Sequence, residues 1–225
     1  MLAQATISPT APTPLSYHSG QPVTEPSDLW STATRQTCAR NRSIYSEGDP
    51  ADRVFKVVSG AVRTFQLLED GRRQVNAFYL AGEIFGLEAT GDYRFSAEAI
   101  VTSQILVLRR DRLTLRLTNE PALMGDLWRI TACELERAQA HFALLGRKSA
   151  IERVASFLVS MGERSVTNGA IELPMSRQDI ADFLGLTIET VSRTMTLLEE
   201  QRLIAMPSAR RIVIRDRRPL MALDS

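Results

Sequence analysis

Glu189, Ser192 and Arg193 stand at i, i+3 and i+4, a spacing that gathers three polar side chains on one face of a helix. Each has a partner on the base-pair edges of the DNA major groove. A glutamate accepts from the N4 amino group of cytosine, an arginine donates two bonds to O6 and N7 of guanine, and a serine approaches a thymine edge. Glu and Arg four residues apart on any surface helix also form a weak solubilising pair. The triplet means base readout only in the right setting.

That setting is M-S-R-Q-D-I-A-D-F-L-G-L-T-I-E-T-V-S-R-T-M-T-L-L-E-E-Q-R-L-I, residues 175–204. Ser176 precedes Asp179 by three residues, a capping-box start, and Ile180, Ala181 and Leu184 follow at helical spacing. Gly185 ends this first helix, Leu186 closes the turn, and Thr187 is a good N-cap for a second. Ile188, Val191, Met195 and Leu198 then recur at intervals of three and four, which leaves Glu189, Ser192 and Arg193 on another face. Two short helices joined through a glycine turn, the second with an exposed polar set, make a helix-turn-helix.

The chain has 225 residues, 44% hydrophobic and 24% charged, enough for one large or two ordinary globular domains. A formal net charge of +1 predicts no nucleic-acid partner by itself. Its distribution says more: residues 202–218 hold six arginines and a single acid, a local basic patch suited to phosphates. Cys38 and Cys133 are the two cysteines, too few for a disulfide framework or a cysteine-rich metal site. There is no run of 18 apolar residues and no export signal in the residues given, so we expect no membrane span and a cytoplasmic protein. No nucleophile–base set, metal cluster or phosphate loop stands out, so an enzyme is not expected.

Residues 1–27 carry five of the ten prolines and no lysine or arginine, and read as a flexible extension. From residue 28 to 120 the pattern is all-β. Short apolar runs occupy 54–58, 61–68, 74–79, 95–100 and 103–108, punctuated by Gly48, Gly60, Gly71 and Gly82, and Glu69-Asp70-Gly71 signals a tight hairpin. This predicts an antiparallel barrel or jelly roll. A long helix follows over 121–145, Pro121 suiting its first turn. One stripe on it is Met124, Leu127, Thr131, Glu134, Ala138, His141 and Leu145; an adjoining one is Leu123, Leu127, Ile130, Leu135, Ala138 and Phe142. Apolar residues on two neighbouring faces let a helix pack on its own barrel and on a second copy of itself. A further amphipathic helix runs through Ile151, Val154, Ala155, Leu158 and Val159, a strand covers 171–174, and R-R-I-V-I-R at 210–215 closes a wing. Residues 146–218 thus form a winged helix-turn-helix domain, with a short frayed tail over 219–225. The class is α+β.

Two motifs in order, Y45-S-E-G-D-P…F55-K-V-V-S-G…G82-E-I-F-G and L-G-L-T-I-E-T-V-S-R, resemble the CRP/FNR superfamily over roughly 36–218, and its FNR branch in particular. The resemblance implies a cyclic-nucleotide-binding-like β-roll, dimerisation through the long helix (Met124, Leu127, Ile130, Thr131, Glu134, Ala138, His141), and a TTGAT half-site read by Glu189, Ser192 and Arg193. Ser176, Arg177 and Gln178 match positions that hold the DNA backbone; Thr187, Thr190, Arg210 and Arg211 are further backbone candidates. Implied partners are palindromic double-stranded DNA, RNA polymerase and a second copy of the chain.

Nucleotide binders of the superfamily close a G-E-x-x-G-E…R-S-A cassette, where this chain reads G82-E-I-F-G-L-E…Y-R-F-S-A. Leu87 stands at the ribose-binding position and Phe95 at the phosphate-binding one, and an aromatic ring cannot pair a buried phosphate. The iron–sulfur relatives need four thiolates, and this chain has two cysteines. No cofactor is therefore expected. The combination resembles the FixK-type group, which implies activation of microaerobic respiration, nitrogen-fixation or denitrification genes. A haem- or small-molecule-responsive regulator, with His18 and His141 as the available histidines, is the alternative within the superfamily; a ligand-binding module that docks protein is the alternative outside it.

Overall fold

The computed structural model describes residues 29–88, 91–167 and 169–223; the extension expected over 1–27 lies outside them. Eight strands come first: β1 (Thr34–Cys38), β2 (Ser43–Tyr45), β3 (Arg53–Ser59), β4 (Ala61–Leu67), β5 (Arg73–Leu80), β6 (Ile84–Phe85), β7 (Ser96–Ala99) and β8 (Ser103–Arg109). They pair into two antiparallel sheets, ordered β1-β8-β3-β6 and β2-β7-β4-β5. Period-2 alternation sends Phe55, Val57, Phe85 and Ile105 of one sheet against Tyr45, Val62, Ala97 and Ala99 of the other. Aromatic rings fill the middle, with Tyr45 stacked on Tyr93 at 3.7 Å and Phe55 on Phe85 at 5.0 Å between ring centroids. The five apolar runs read from the sequence coincide with β3, β4, β5, β7 and β8.

Gly60 joins β3 to β4 at φ +89°, and a Cβ there would lie 2.3 Å from the Ser103 Oγ. That hydroxyl accepts from the Ala61 N–H and donates to the Val101 carbonyl. Only glycine permits both the turn and the approach.

Helix α1 (Arg110–Asn119) follows β8, and the sequence reading missed it. Leu113, Leu115 and Leu117 alternate at i+2, which mimics a strand. The helix buries Leu113, half-buries Leu117 and exposes Leu115. With α2 (Ala122–Arg147) it covers a second apolar cluster of Leu29, Trp30, Val54, Leu108, Leu113 and Leu123 on the outside of the first sheet.

The remaining elements are α3 (Ala150–Arg164), β9 (Val166–Thr167), β10 (Ala170–Glu172), α4 (Arg177–Leu184), α5 (Ile188–Glu200), β11 (Ile204–Ser208), β12 (Arg211–Ile214) and α6 (Arg217–Ala222). Strands β11-β12-β10-β9 form a small antiparallel sheet beside α3, α4 and α5. Strand β11 contains Pro207, yet it is an edge strand and its register shifts between Ala205 and Ser208. A proline is tolerated where no ladder bond is needed. The frayed tail expected over 219–225 is a correction. Leu220 of α6 is fully buried and joins the core under α3, so the chain folds through at least Ala222.

This last core does not stop at the winged domain. Val75, Phe78 and Leu80 of β5 pack in the same cluster as Phe157 and Leu158 of α3 and Ile180 and Leu184 of α4. The winged domain is seated on the β4–β5 face of its own β-roll.

Candidate nucleic-acid interface

Helix α4 begins as its sequence requires. The Ser176 hydroxyl accepts the Asp179 N–H, and Asp179 returns a bond to the Ser176 N–H at 2.9 Å, a reciprocal capping box. Gly185 closes the helix in the left-handed region at φ 62°, where a side chain would be strained. Thr187 then caps α5 by accepting from the Thr190 N–H at 3.2 Å. The two ends of α4 and the start of α5 are therefore set by local chemistry.

Val191, Thr194, Met195 and Leu198 are the buried side of α5. Ile188, expected among them, is exposed, because it is the first helical residue and overhangs the turn. Glu189, Ser192 and Arg193 are all exposed on one face. The Glu189 carboxyl is held below its ordinary range by its own backbone N–H and the Thr187 hydroxyl, with a further contribution from Arg193 against slight desolvation. It is thus an ionised acceptor at neutral pH. The Ser192 hydroxyl donates to the Ile188 carbonyl at 2.8 Å. Arg193 points outward as the strongest donor of the set.

Of the expected backbone-binding residues, Ser176, Gln178 and Arg210 line one cleft of about 240 Å³ together with Arg40, Asn41, Arg63 and Arg73. Gln178 is exposed and donates to Asp182 at 2.6 Å. Thr187 and Thr190 share a hydroxyl–hydroxyl bond of 3.0 Å at the tip of α5. Arg210 is exposed in the β11–β12 turn, and Arg211 is loosely paired with Glu172 at 3.5 Å. Arg177 differs from its neighbours: it is half-buried, with its Nη2 3.4 Å from the Met206 sulfur and its Nη1 buried without a hydrogen-bond partner. Burial pushes its pKa down.

Helix α2 requires a correction. Ile130 is buried in its own chain, and Leu127 lines a small apolar cavity with it. Glu134 is half-buried and ion-paired to Arg137 at 2.7 Å. Burial raises its pKa, with Arg137 opposing. His141 stacks flat on Phe183 of α4 at 4.0 Å between centroids, and its Nε2 lies 2.8 Å from the Phe183 carbonyl. These four side chains face the protein's own body, so they are not available to a free seam. The exposed stripe is Met124, Trp128, Thr131, Leu135, Ala138 and Phe142, at intervals of four and three. Trp128 is 74% exposed and Phe142 81%. Met124, Thr131 and Ala138 of the expected set remain on it.

Leu87 packs with Leu106, Leu113 and Leu123 in the cluster beneath α1 and α2, and Phe95 is half-buried just before β7. Cys38 and Cys133 are both free thiols. Among the described residues no helix is long and apolar enough to cross a membrane.

Sequence reading also missed what joins the two domains. Arg63 of β4 donates to Asp179 at 2.8 Å and Glu98 at 2.9 Å, and Arg73 of β5 donates to Asp179 and Asp182. Glu83 accepts from Arg137 of α2 and Arg164 of α3. Asp179 was legible only as a cap; its arginine partners lie more than 100 residues away.

Residues 35–118 match the cyclic nucleotide-binding domain family and residues 152–223 the Crp-like helix-turn-helix domain family. The nitrogen fixation regulation protein FixK of Azorhizobium caulinodans is 52% identical over 192 residues, covering 83% of this chain and 77% of the relative. The chain belongs to the CRP/FNR family of transcription regulators. Within that family, the FixK of Rhizobium meliloti is 46% identical over 77% of this chain and 79% of its own length. The structure of FixK2 from Bradyrhizobium japonicum superposes with a TM-score of 0.83 at 45% identity, covering 86% of this chain and 98% of that one. This chain is accordingly a FixK/FNR-like transcription activator with a DNA-binding helix-turn-helix, and not an enzyme.

Proposed function

We propose that this CRP/FNR-family activator works as a homodimer that reads a TTGAT-N4-ATCAA palindrome without cyclic nucleotide, haem or iron–sulfur cluster. It recruits RNA polymerase to genes of microaerobic respiration, nitrogen fixation or denitrification. The observation that carries the readout is the exposed Glu189–Ser192–Arg193 face of α5 beside the Thr187 cap. Arg193 takes the guanine, Glu189 the cytosine amino group and Ser192 the thymine edge. Ser176, Gln178, Thr187, Thr190 and Arg210 surround that face with phosphate partners, joined by Arg177 and Arg211 once these leave their present contacts.

The dimer rests on the apolar stripe of α2. Met124, Trp128, Leu135 and Phe142, exposed large apolar side chains four and then seven residues apart on a 26-residue helix with Thr131 and Ala138 between them, fit the seam of a two-stranded coiled coil. A two-fold dimer matches a palindrome whose half-sites lie one helical turn apart. Independence from an effector rests on Leu87 and Phe95, neither of which can serve the ribose or phosphate of a nucleotide. His141 is engaged with Phe183, which argues against a haem role. Selection of bound duplexes from a random pool, with no effector added, tests the reading. TTGAT inverted repeats should be enriched.

A further inference from the structure

Two arginines of the β-roll reach the helix expected to sit on the DNA backbone. Arg63 and Arg73 lie on neighbouring strands, and both guanidinium groups flank the Phe65 ring, at 6.0 and 5.8 Å from its centroid. Oδ1 of Asp179 accepts from Arg63 Nη1 at 2.8 Å and from Arg73 Nη2 at 2.6 Å. Oδ2 of the same carboxylate accepts from the N–H and hydroxyl of Ser176. One turn further on, Asp182 accepts from Arg73 Nε at 2.8 Å through Oδ2 and from Gln178 at 2.6 Å through Oδ1. Thus Ser176 and Gln178 are held by two carboxylates that the β-roll arginines hold in turn.

Burial makes this tether stiff. Asp179 is 3% exposed and Arg63 7%, so lifting α4 away would leave charges unpaired in a low-dielectric setting. Glu98 fixes Arg63 from its other end. The same β-roll is anchored separately to α2: Glu83, in the turn after β5, pairs with Arg137 of α2 and Arg164 of α3. Two separate groups of ion pairs thus anchor the β-roll, one to α2 and α3 and the other to the first helix of the DNA-reading pair.

We propose that Arg63 and Arg73 are positioning residues for DNA recognition, which fix α4 relative to the dimer axis and thereby set the spacing between the two half-sites. The inference rests on the homodimeric reading above. In a two-fold dimer the separation of the recognition helices is twice their distance from the axis. One base pair of spacer changes that separation by about 3.4 Å, a shift that a rigidly held α4 does not accommodate.

The test uses the purified full chain and four labelled duplexes: palindromes with spacers of three, four and five bases, and a single half-site. Variants are Arg73→Gln, the isosteric Asp182→Asn, and the exchanged pair Arg73→Asp with Asp182→Arg, each checked by melting. The preference for the four-base spacer should fall about tenfold in the single variants, within the usual range of coupling between sites. Half-site affinity should stay within about twofold, because no base-reading residue is touched. The exchanged pair restores the bridge between positions 73 and 182 but not the bond to Asp179, and should recover part of the preference. A preference unchanged in both folded single variants overturns the inference, as does a half-site loss parallel to the palindrome loss. A wild-type chain that prefers no spacer overturns the dimeric reading itself, and the inference with it.

Discussion

Ser192 and Arg193 are neighbours with different freedom, and that difference orders their expected contributions. The Ser192 proton is bonded to the Ile188 carbonyl, so in the proposed readout the side chain would meet a thymine methyl through its own methylene. Ser192→Ala keeps much of that contact and should weaken binding by less than about 1 kcal/mol per half-site, at the low end for a base contact. Arg193→Ala removes both bonds to guanine and should cost about 1–3 kcal/mol per half-site while relaxing the preference there. Titrating each variant against operators changed at one base distinguishes the two. Arg177→Ala, by contrast, should weaken all sequences alike and lower the salt slope by roughly one unit. A uniform loss from Arg193→Ala would mean that it holds phosphate only.

At the scale of the element, α2 has two sides with separate duties. Trp128→Glu with Phe142→Glu places charge on the exposed stripe and should abolish dimerisation while leaving the monomer fold intact. Ile130→Glu instead buries a carboxylate in the cluster under the helix, and should lower the melting temperature before it affects assembly. Sedimentation and melting of both variants read this out; loss of the dimer from neither would remove the stripe from the interface. The existence of the helix was legible, but its orientation was not. Apolar residues cover two adjoining faces of 121–145, and periodicity cannot say which face the β-roll occupies. The β-strands were easier to read because glycine turns bound short alternating runs. Helix α1 escaped because its leucines alternate at i+2. The helix-turn-helix was read almost residue by residue, since its caps at Ser176, Gly185 and Thr187 are local.

Across the whole molecule, coupling between domains depends on carboxylates that the linear sequence does not pair with their partners. Burial alone would raise Asp179 and Glu83. The Ser176 bonds with Arg63 and Arg73 outweigh it for Asp179, and Arg164 with Arg137 outweigh it for Glu83, so both stay below their ordinary range. Depressed folded-state values mean stability fully present above the unfolded pKa and lost as pH falls through the folded one. Asp179→Asn should therefore destabilise the chain at neutral pH, and its deficit against wild type should shrink in acid below the ordinary carboxylate range. Denaturant unfolding across that range checks it; a deficit independent of pH would assign the loss to packing or capping and not to charge.

The central claim is that an activator of this family binds its operator with no ligand to switch it on. Such a protein must hold its DNA-competent arrangement well populated by itself, since a ligand shifts an equilibrium only by its differential affinity for the two states. Leu87 offers a physical basis: packed against the cluster that contains Leu123 of α2, it is an apolar contact between the β-roll and the helix that bears the proposed seam. The direct measurement is titration of colourless, metal-free protein with a labelled TTGAT-N4-ATCAA duplex at fixed salt, with and without cyclic AMP. The account predicts tight binding, with a Kd on the order of nanomolar as for specific DNA complexes, unchanged by the nucleotide. Specific binding that begins only when a nucleotide, haem or iron–sulfur cluster is supplied would contradict it.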